Sequence, residues 1–176
     1  YPKYGEDGAH AIEWMIERQW CNGKIGTFGN SALAQVQWLT AKEQPEGLKC
    51  IVPINHAIKT RYQKYYHGGV KRTEYVESLG GWAWIPYLVN DHPTHDTFWQ
   101  YISQITDYTP DINVPVLQIT GWWDMTPDES LMTYSALREV TPDSVRDQHK
   151  LLIGPWSHQT VGQLHQGDYE FPTAQG

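Results

Sequence analysis

The sequence predicts an α/β chain built on a mostly parallel sheet with helical crossovers. Three observations carry that expectation. Four short apolar runs recur along the 176 residues, at 24–29, 48–54, 114–121 and 150–154. Segments with helical periodicity lie between them, and Gly, Pro and Asn mark most of the junctions.

Taken in order, residues 6–20 read as a helix. Ile12, Met15 and Ile16 share one face, Glu6 and Asp7 complement the helix dipole, and Asn22-Gly23 stops it. Lys24–Gly29 is an apolar run between glycines and reads as a buried strand. Ala32–Lys42 is a strong helix former with Leu33, Val36 and Leu39 at helical spacing, ended by Pro45-Glu46-Gly47. Leu48–Ile54 is the second strand. Residues 58–110 are rich in Tyr, His and Trp and broken by Gly68-Gly69 and Gly80-Gly81, so they read as short helices and loops rather than sheet. Val114–Gly121 is the third strand, its early proline suited to a strand start. Pro127–Val140 is a helix presenting Leu131, Tyr134 and Leu137, and Lys150–Gly154 is the fourth strand. No element is expected over 159–176. The strands are apolar on both faces, which predicts a sheet covered on both sides.

Length and composition narrow the function classes. The chain suits one domain, and hydrophobic residues at 40% with charged residues at 19% exclude disorder. A net charge of −7 with no basic run excludes a nucleic-acid partner, because phosphate contacts need clustered Lys and Arg. Apolar stretches are short and interrupted, so no membrane span is expected, and the first residues lack the pattern of a signal peptide. Cys21 and Cys50 read as two free, mostly buried thiols.

Three residues carry the chemistry. Ser31 follows Gly29-Asn30 at a strand-to-helix junction. A nucleophile elbow needs a small residue two before the serine, so that strand and helix can approach. It also needs a helix that begins at once, so that its first amides face a developing oxyanion. Gly29 and Ala32-Leu33-Ala34 meet both demands, although Leu33 stands where glycine is usual. The alternative for Ser31 is a simple helix N-cap. Asp124 lies just past the carboxyl end of the third strand, where groups that act on ligands gather in parallel sheets. It either orients a histidine or caps the helix starting near Pro127. His158 follows the fourth strand in the same way. Serine, aspartate and histidine in this chain order, each after a strand, are the triad of an α/β-hydrolase fold, here in partial form with a short helical cap insertion. The boundaries are 1–57 for the first part of the core with its elbow, 58–110 for the insertion and 111–176 for the remainder.

The sequence also resembles a family. Trp20-Cys21-Asn22-Gly23-Lys24-Ile25-Gly26, Gly29-Asn30-Ser31-Ala32-Leu33, Gly121-Trp122-Trp123-Asp124 and Gly154-Pro155-Trp156-Ser157-His158 are similar to signature blocks of the cocaine esterase / X-Pro dipeptidyl-peptidase (CocE/NonD-like) acyl hydrolases. So is Asp91-His92-Pro93 before Phe98-Trp99. The likeness is to the bacterial branch of predicted acyl esterases and glutaryl-cephalosporin acylases. It implies a serine hydrolase that cleaves a small-molecule ester or amide through an acyl-serine. Ser31 would be nucleophile, His158 base, Asp124 its orienter and the Ala32 N–H one oxyanion donor. In the family the other donor is a tyrosine hydroxyl from an upstream segment, and neither Tyr1 nor Tyr4 matches it. Relatives also carry further N-terminal strands and a C-terminal jelly-roll domain, so the chain reads as the middle of a larger enzyme. No metal or organic cofactor is implied, the oligomeric state stays open, and the resemblance leans toward an exported protein.

Trp122 and Trp156 flank the triad and are candidate substrate contacts. Most of the nine Trp and eleven Tyr read as core, with Tyr62, Tyr65 and Tyr66 as an alternative cleft wall. His92, His95 and Asp96 lack further ligands at metal-site spacing, and Pro93 opposes the helical turn that would align the imidazoles. Cys21 has no histidine placed beside it to activate the thiol. Two functional alternatives stand beside the esterase: an X-Pro-type amide hydrolase and a non-catalytic, aromatic-rich binding fragment.

Overall fold

The computed structural model of the chain describes residues 3–81 and 84–172. In chain order its elements are α1 (Tyr4–Ile16), β1 (Ile25–Asn30), α2 (Ala32–Lys42), β2 (Leu48–Ile54), β3 (Tyr66–His67) and β4 (Val70–Lys71). These are followed by α3 (Thr73–Ser78), α4 (Trp84–Asp91), α5 (Thr97–Ile105), β5 (Leu117–Trp123) and α6 (Pro127–Val140). Last come α7 (Asp143–Arg146), β6 (Lys150–Ser157), β7 (His165–Gln166) and β8 (Tyr169–Glu170). The chain divides into two compact units, one of Tyr1–Ile58 with Tyr108–Gly176, the other of Lys59–Asp107.

The first unit is a four-stranded, all-parallel sheet in the order β1-β2-β5-β6. Parallel strands must be joined by crossovers, and α2 and α6 supply two of them. One face of the sheet is the core. Ile12 of α1, Trp38 and Ala41 of α2 and Leu137 of α6 pack with Leu48, Ile51 and Val116, all nearly inaccessible to solvent. At about 25 cal/mol per Å² of apolar surface, this layer is the main stabilising contribution.

The opposite face departs from expectation. Phe28 is 75% exposed, Leu152 41% and Leu117 38%. The helices α1, α2 and α6 all pack on the face carrying Ile51 and Val116, so the alternate side chains of each strand point outward among the described residues. Cys50 is exposed for the same reason: it alternates with Ile51 and pairs with Gly26. The thiols of Cys21 and Cys50 are free, but they are not the buried thiols expected.

Several boundaries shift. α1 stops at Ile16 rather than residue 20, because no residue of 17–20 is buried and further turns would cover nothing. β6 runs on to Ser157, extended by its pairing with β5 at Trp123. The tail forms the small hairpin β7–β8, where no element was expected.

The second unit is mostly short helices around an aromatic core. Tyr62, Tyr65, Tyr66 and Trp99 are buried with Val76 and Val89. Tyr62 and Tyr66 stack at 4.7 Å, and the Tyr66 hydroxyl donates to the Val89 carbonyl at 2.7 Å. These tyrosines are therefore core side chains rather than a cleft wall. The unit also holds the hairpin β3–β4, turned by Gly68 and Gly69 with φ of 58° and 87°. Two successive positive φ values are the signature of the turn that matches strand twist, and glycine adopts them without strain.

Candidate active site

Ser31 joins the end of β1 to the start of α2, and the junction is sharply bent. Its φ of 58° and ψ of −117° lie outside the basins an L residue favours, a strain costing about 1–3 kcal/mol. The surroundings hold it there. The Ser31 N–H donates to the Ile54 carbonyl at 2.9 Å, and its own carbonyl accepts from the Gln35 N–H at 3.0 Å. A Cβ on Gly29 would sit 2.6 Å from the Leu33 Cβ, so only glycine lets the strand and the returning helix come this close. Leu33 is itself 64% exposed, which explains how a large residue is tolerated two positions after the serine.

Gln37 staples the bend from below. Its Oε1 accepts from Thr27 Oγ1 at 3.0 Å and from the Val52 N–H at 3.1 Å, while its Nε2 donates to the Gly29 and Leu33 carbonyls. One buried amide thereby ties β1, β2 and α2 together. It escaped the sequence reading because a glutamine on an otherwise apolar helix face carries no local sign of its partners.

Ser31 occupies the N-cap position of α2, yet its side chain makes no capping bond. Ala32 opens the helix, where backbone amides have no intrahelical acceptor and are free for an anionic oxygen.

Asp124 follows β5 and is buried. Its two oxygens divide their tasks. Oδ1 accepts from the Thr126 N–H at 2.8 Å and from Thr126 Oγ1 at 3.0 Å, steadying the residue before α6. Oδ2 lies 2.6 Å from His158 Nδ1. The N-cap of α6 is Thr126, so Asp124 does not cap that helix: Oδ1 closes a turn onto the cap residue and Oδ2 faces the histidine. The bond orients the imidazole so that Nε2 is left as its free nitrogen.

His158 follows β6, and its main-chain carbonyl accepts from Asn30 Nδ2 at 2.9 Å and Asn55 Nδ2 at 3.2 Å. The structure thus joins Asp124 and His158 directly, and joins His158 to the residue before Ser31. The Ser31 hydroxyl makes no hydrogen bond among the described residues.

Trp156 is 4% exposed and lines a hollow of about 480 Å³ together with Asn30 and His158. Trp122, at the end of β5, is 58% exposed and lies outside that lining. His92 and Asp96 are engaged in local structure. Asp96 caps α5 through the Phe98 and Trp99 amides and holds His92 Nδ1 at 2.7 Å, while His92 stacks on Phe98. Among the described residues no cluster of three or more metal-ligating side chains occurs, and no helix is long and apolar enough to cross a membrane.

Comparison with known proteins gives a family and a fold. A family model for X-Pro dipeptidyl-peptidase (S15 family) matches residues 1–83 and 72–160. The cocaine esterase of Rhodococcus sp. (strain MB1 Bresler) is 25% identical over 207 aligned positions, covering 88% of this chain and 34% of the esterase. An aminopeptidase from a marine sediment Thaumarchaeota archaeon superposes with a TM-score of 0.66 at 19% identity, over 95% of this chain and 34% of that one. An α-amino acid ester hydrolase gives 0.60 at 20% identity, over 90% and 32%. A CocE/NonD family hydrolase from Staphylococcus aureus gives 0.57 at 22% identity, over 88% and 28%. The fold is that of the α/β hydrolases. The chain spans about a third of the length of the relatives it matches.

Proposed function

Because this chain belongs to the X-Pro dipeptidyl-peptidase (S15) family, we propose that it carries the serine hydrolase chemistry of an acyl esterase, with Ser31, His158 and Asp124 as the triad. One observation supports this above the others. The imidazole of His158 lies 2.6 Å from a buried carboxylate, while its main chain is bonded to the neighbour of a serine in strained backbone.

In this reading His158 Nε2 takes the Ser31 proton as Oγ attacks an acyl carbonyl. Asp124 stabilises the imidazolium, and the Ala32 N–H donates to the oxyanion. The imidazolium then protonates the departing alcohol or amine. Water, deprotonated by His158, releases the acid from the acyl-serine and restores the enzyme. No metal or organic cofactor takes part. The substrate is a small-molecule ester or amide, with Trp156 and Trp122 as its proposed contacts. Residues 1–57 and 111–176 form the hydrolase core, interrupted by the insertion 58–110.

A serine-directed fluorophosphonate tests the proposal. Stoichiometric labelling at Ser31, lost in Ser31→Ala, is expected, with turnover of p-nitrophenyl acyl esters. An unlabelled but folded chain would instead be an aromatic-rich binding fragment. The family description favours a second reading, hydrolysis of an amide after proline. Faster cleavage of a Xaa-Pro anilide than of acyl esters would select it.

A further inference from the structure

We infer that Asn30 and Asn55 are positioning residues for His158, a paired amide clamp that fixes the base's main chain against the nucleophile turn. The inference rests on the hydrolase reading above and adds to it two residues outside the triad.

The geometry begins with an acceptor. The His158 carbonyl can only accept, so both amides that reach it, at 2.9 Å and 3.2 Å, must present their NH₂ groups. That choice turns Oδ1 of each asparagine away, and both oxygens are buried without a hydrogen-bond partner among the described residues. An unpaired buried acceptor is destabilising, and a small apolar side chain at either position would avoid it. Two such acceptors within one site are accounted for when the amide nitrogens hold something that the site needs held.

The clamp is anchored on rigid backbone. Asn30 is the last residue of β1 and precedes Ser31. Asn55 follows β2 at a φ of 50°, a left-handed conformation that asparagine tolerates better than most residues. Its N–H donates to the Ile119 carbonyl at 2.9 Å, just as the Ser31 N–H donates to Ile54. The ladder of β1, β2 and β5 therefore continues to the rim, and both amides project from it onto residue 158. Asp124 fixes the ring of His158 and the two asparagines fix its backbone. Without the clamp the main chain just past the last paired residue of β6, Ser157, loses two side-chain anchors, and a shift of about 1 Å in a catalytic group costs up to about 100-fold in rate.

The test reads the histidine as well as the turnover. In the wild-type chain the His158 Nδ1 proton, shared with Asp124, is followed by proton NMR as a downfield, slowly exchanging resonance. Ester hydrolysis and phosphonate labelling are measured in parallel. Asn30→Ala and Asn55→Gly, the latter keeping the left-handed backbone accessible, are expected to broaden or lose that resonance. They are also expected to lower kcat about tenfold or more, with KM within about twofold. If either variant fails to fold, Asn30→Asp and Asn55→Asp replace it, being of the same shape and unable to donate when ionised. An unchanged Nδ1 resonance in both folded variants overturns the clamp. A wild-type chain that shows the resonance but neither labels nor hydrolyses overturns the hydrolase reading, while the variants' spectra still decide the clamp.

Discussion

Asp124 Oδ2 lies 2.6 Å from His158 Nδ1, with the carboxylate side chain fully buried and the imidazole 17% exposed. A buried carboxylate is normally costly, but this one has both oxygens engaged, and the histidine gains a fixed orientation from it.

Replacing Asp124 by Asn keeps the shape and the Thr126 contacts. It presents an amide whose NH₂ favours the wrong imidazole tautomer. In serine proteases the same exchange costs about 10⁴-fold in kcat. A loss of about 10³- to 10⁴-fold is expected here, with the melting temperature nearly unchanged. Steady-state hydrolysis of a p-nitrophenyl ester checks it, and a loss below about tenfold would detach Asp124 from the chemistry.

Ser31→Gly should separate stability from function. The φ of 58° strains serine but not glycine, and part of the strain relieved is offset by the greater freedom of glycine in the unfolded chain. A net gain of about 1 kcal/mol is expected, raising the melting temperature by about 2–4 °C. Labelling by phosphonate should vanish. A variant that melts below wild type would show that the backbone there is not under strain.

Gly121 is required by close packing between β5 and β6. A Cβ there would fall on the Trp156 carbonyl, which belongs to a paired strand and cannot move aside as a side-chain tip could. Gly121→Ala should cost about 3 kcal/mol. Chemical denaturation should show the loss as a lower midpoint with an unchanged slope.

His149 makes stability depend on pH. It is fully buried, and Thr141 Oγ1 donates to the Leu137 carbonyl at 2.6 Å, so the same oxygen must accept from His149 Nε2–H at 2.9 Å. Nδ1 is then bare and buried, with no acceptor for a second proton among the described residues. Burial, with the charge of Arg138 adding to it, pushes the imidazole down from 6.5 to about 4. The unfolded chain therefore takes up a proton below about pH 6.5 that the folded chain refuses until about pH 4. Stability is full above that window and falls across it, by on the order of 3 kcal/mol. Urea titrations at pH 7 and pH 4.5 should show a larger loss for wild type than for His149→Gln.

Local signals were enough for the elements whose information lies within a few residues. Periodic apolar spacing between Ser31 and the Pro45-Glu46-Gly47 stop defines α2, and Pro127 with Leu131, Tyr134 and Leu137 defines α6; both helices have the predicted ends. The strand Leu48–Ile54 likewise matches, because its apolar run is bounded by turn residues on both sides. The order of Ser31, Asp124 and His158, each after a strand of the parallel sheet (β1, β5 and β6), was legible because parallel topology sends every strand's carboxyl end to one rim.

Other features exist only through distant partners. β6 reaches Ser157 because Trp123 pairs with it, and α1 ends at Ile16 because nothing beyond it finds a surface to cover. The exposure of Phe28 and Cys50 depends on which face the helices take, which strand composition does not encode. The sequence by itself determined the main helices and strands, the parallel rhythm and the three candidate groups, but not the hairpins β3–β4 and β7–β8, which exist only through pairing. Tertiary structure decided that Asp124 reaches His158 and that Asn30 and Asn55 hold the His158 carbonyl. A hydrogen bond across 128 positions of chain leaves no periodicity, propensity or spacing in the residues that make it.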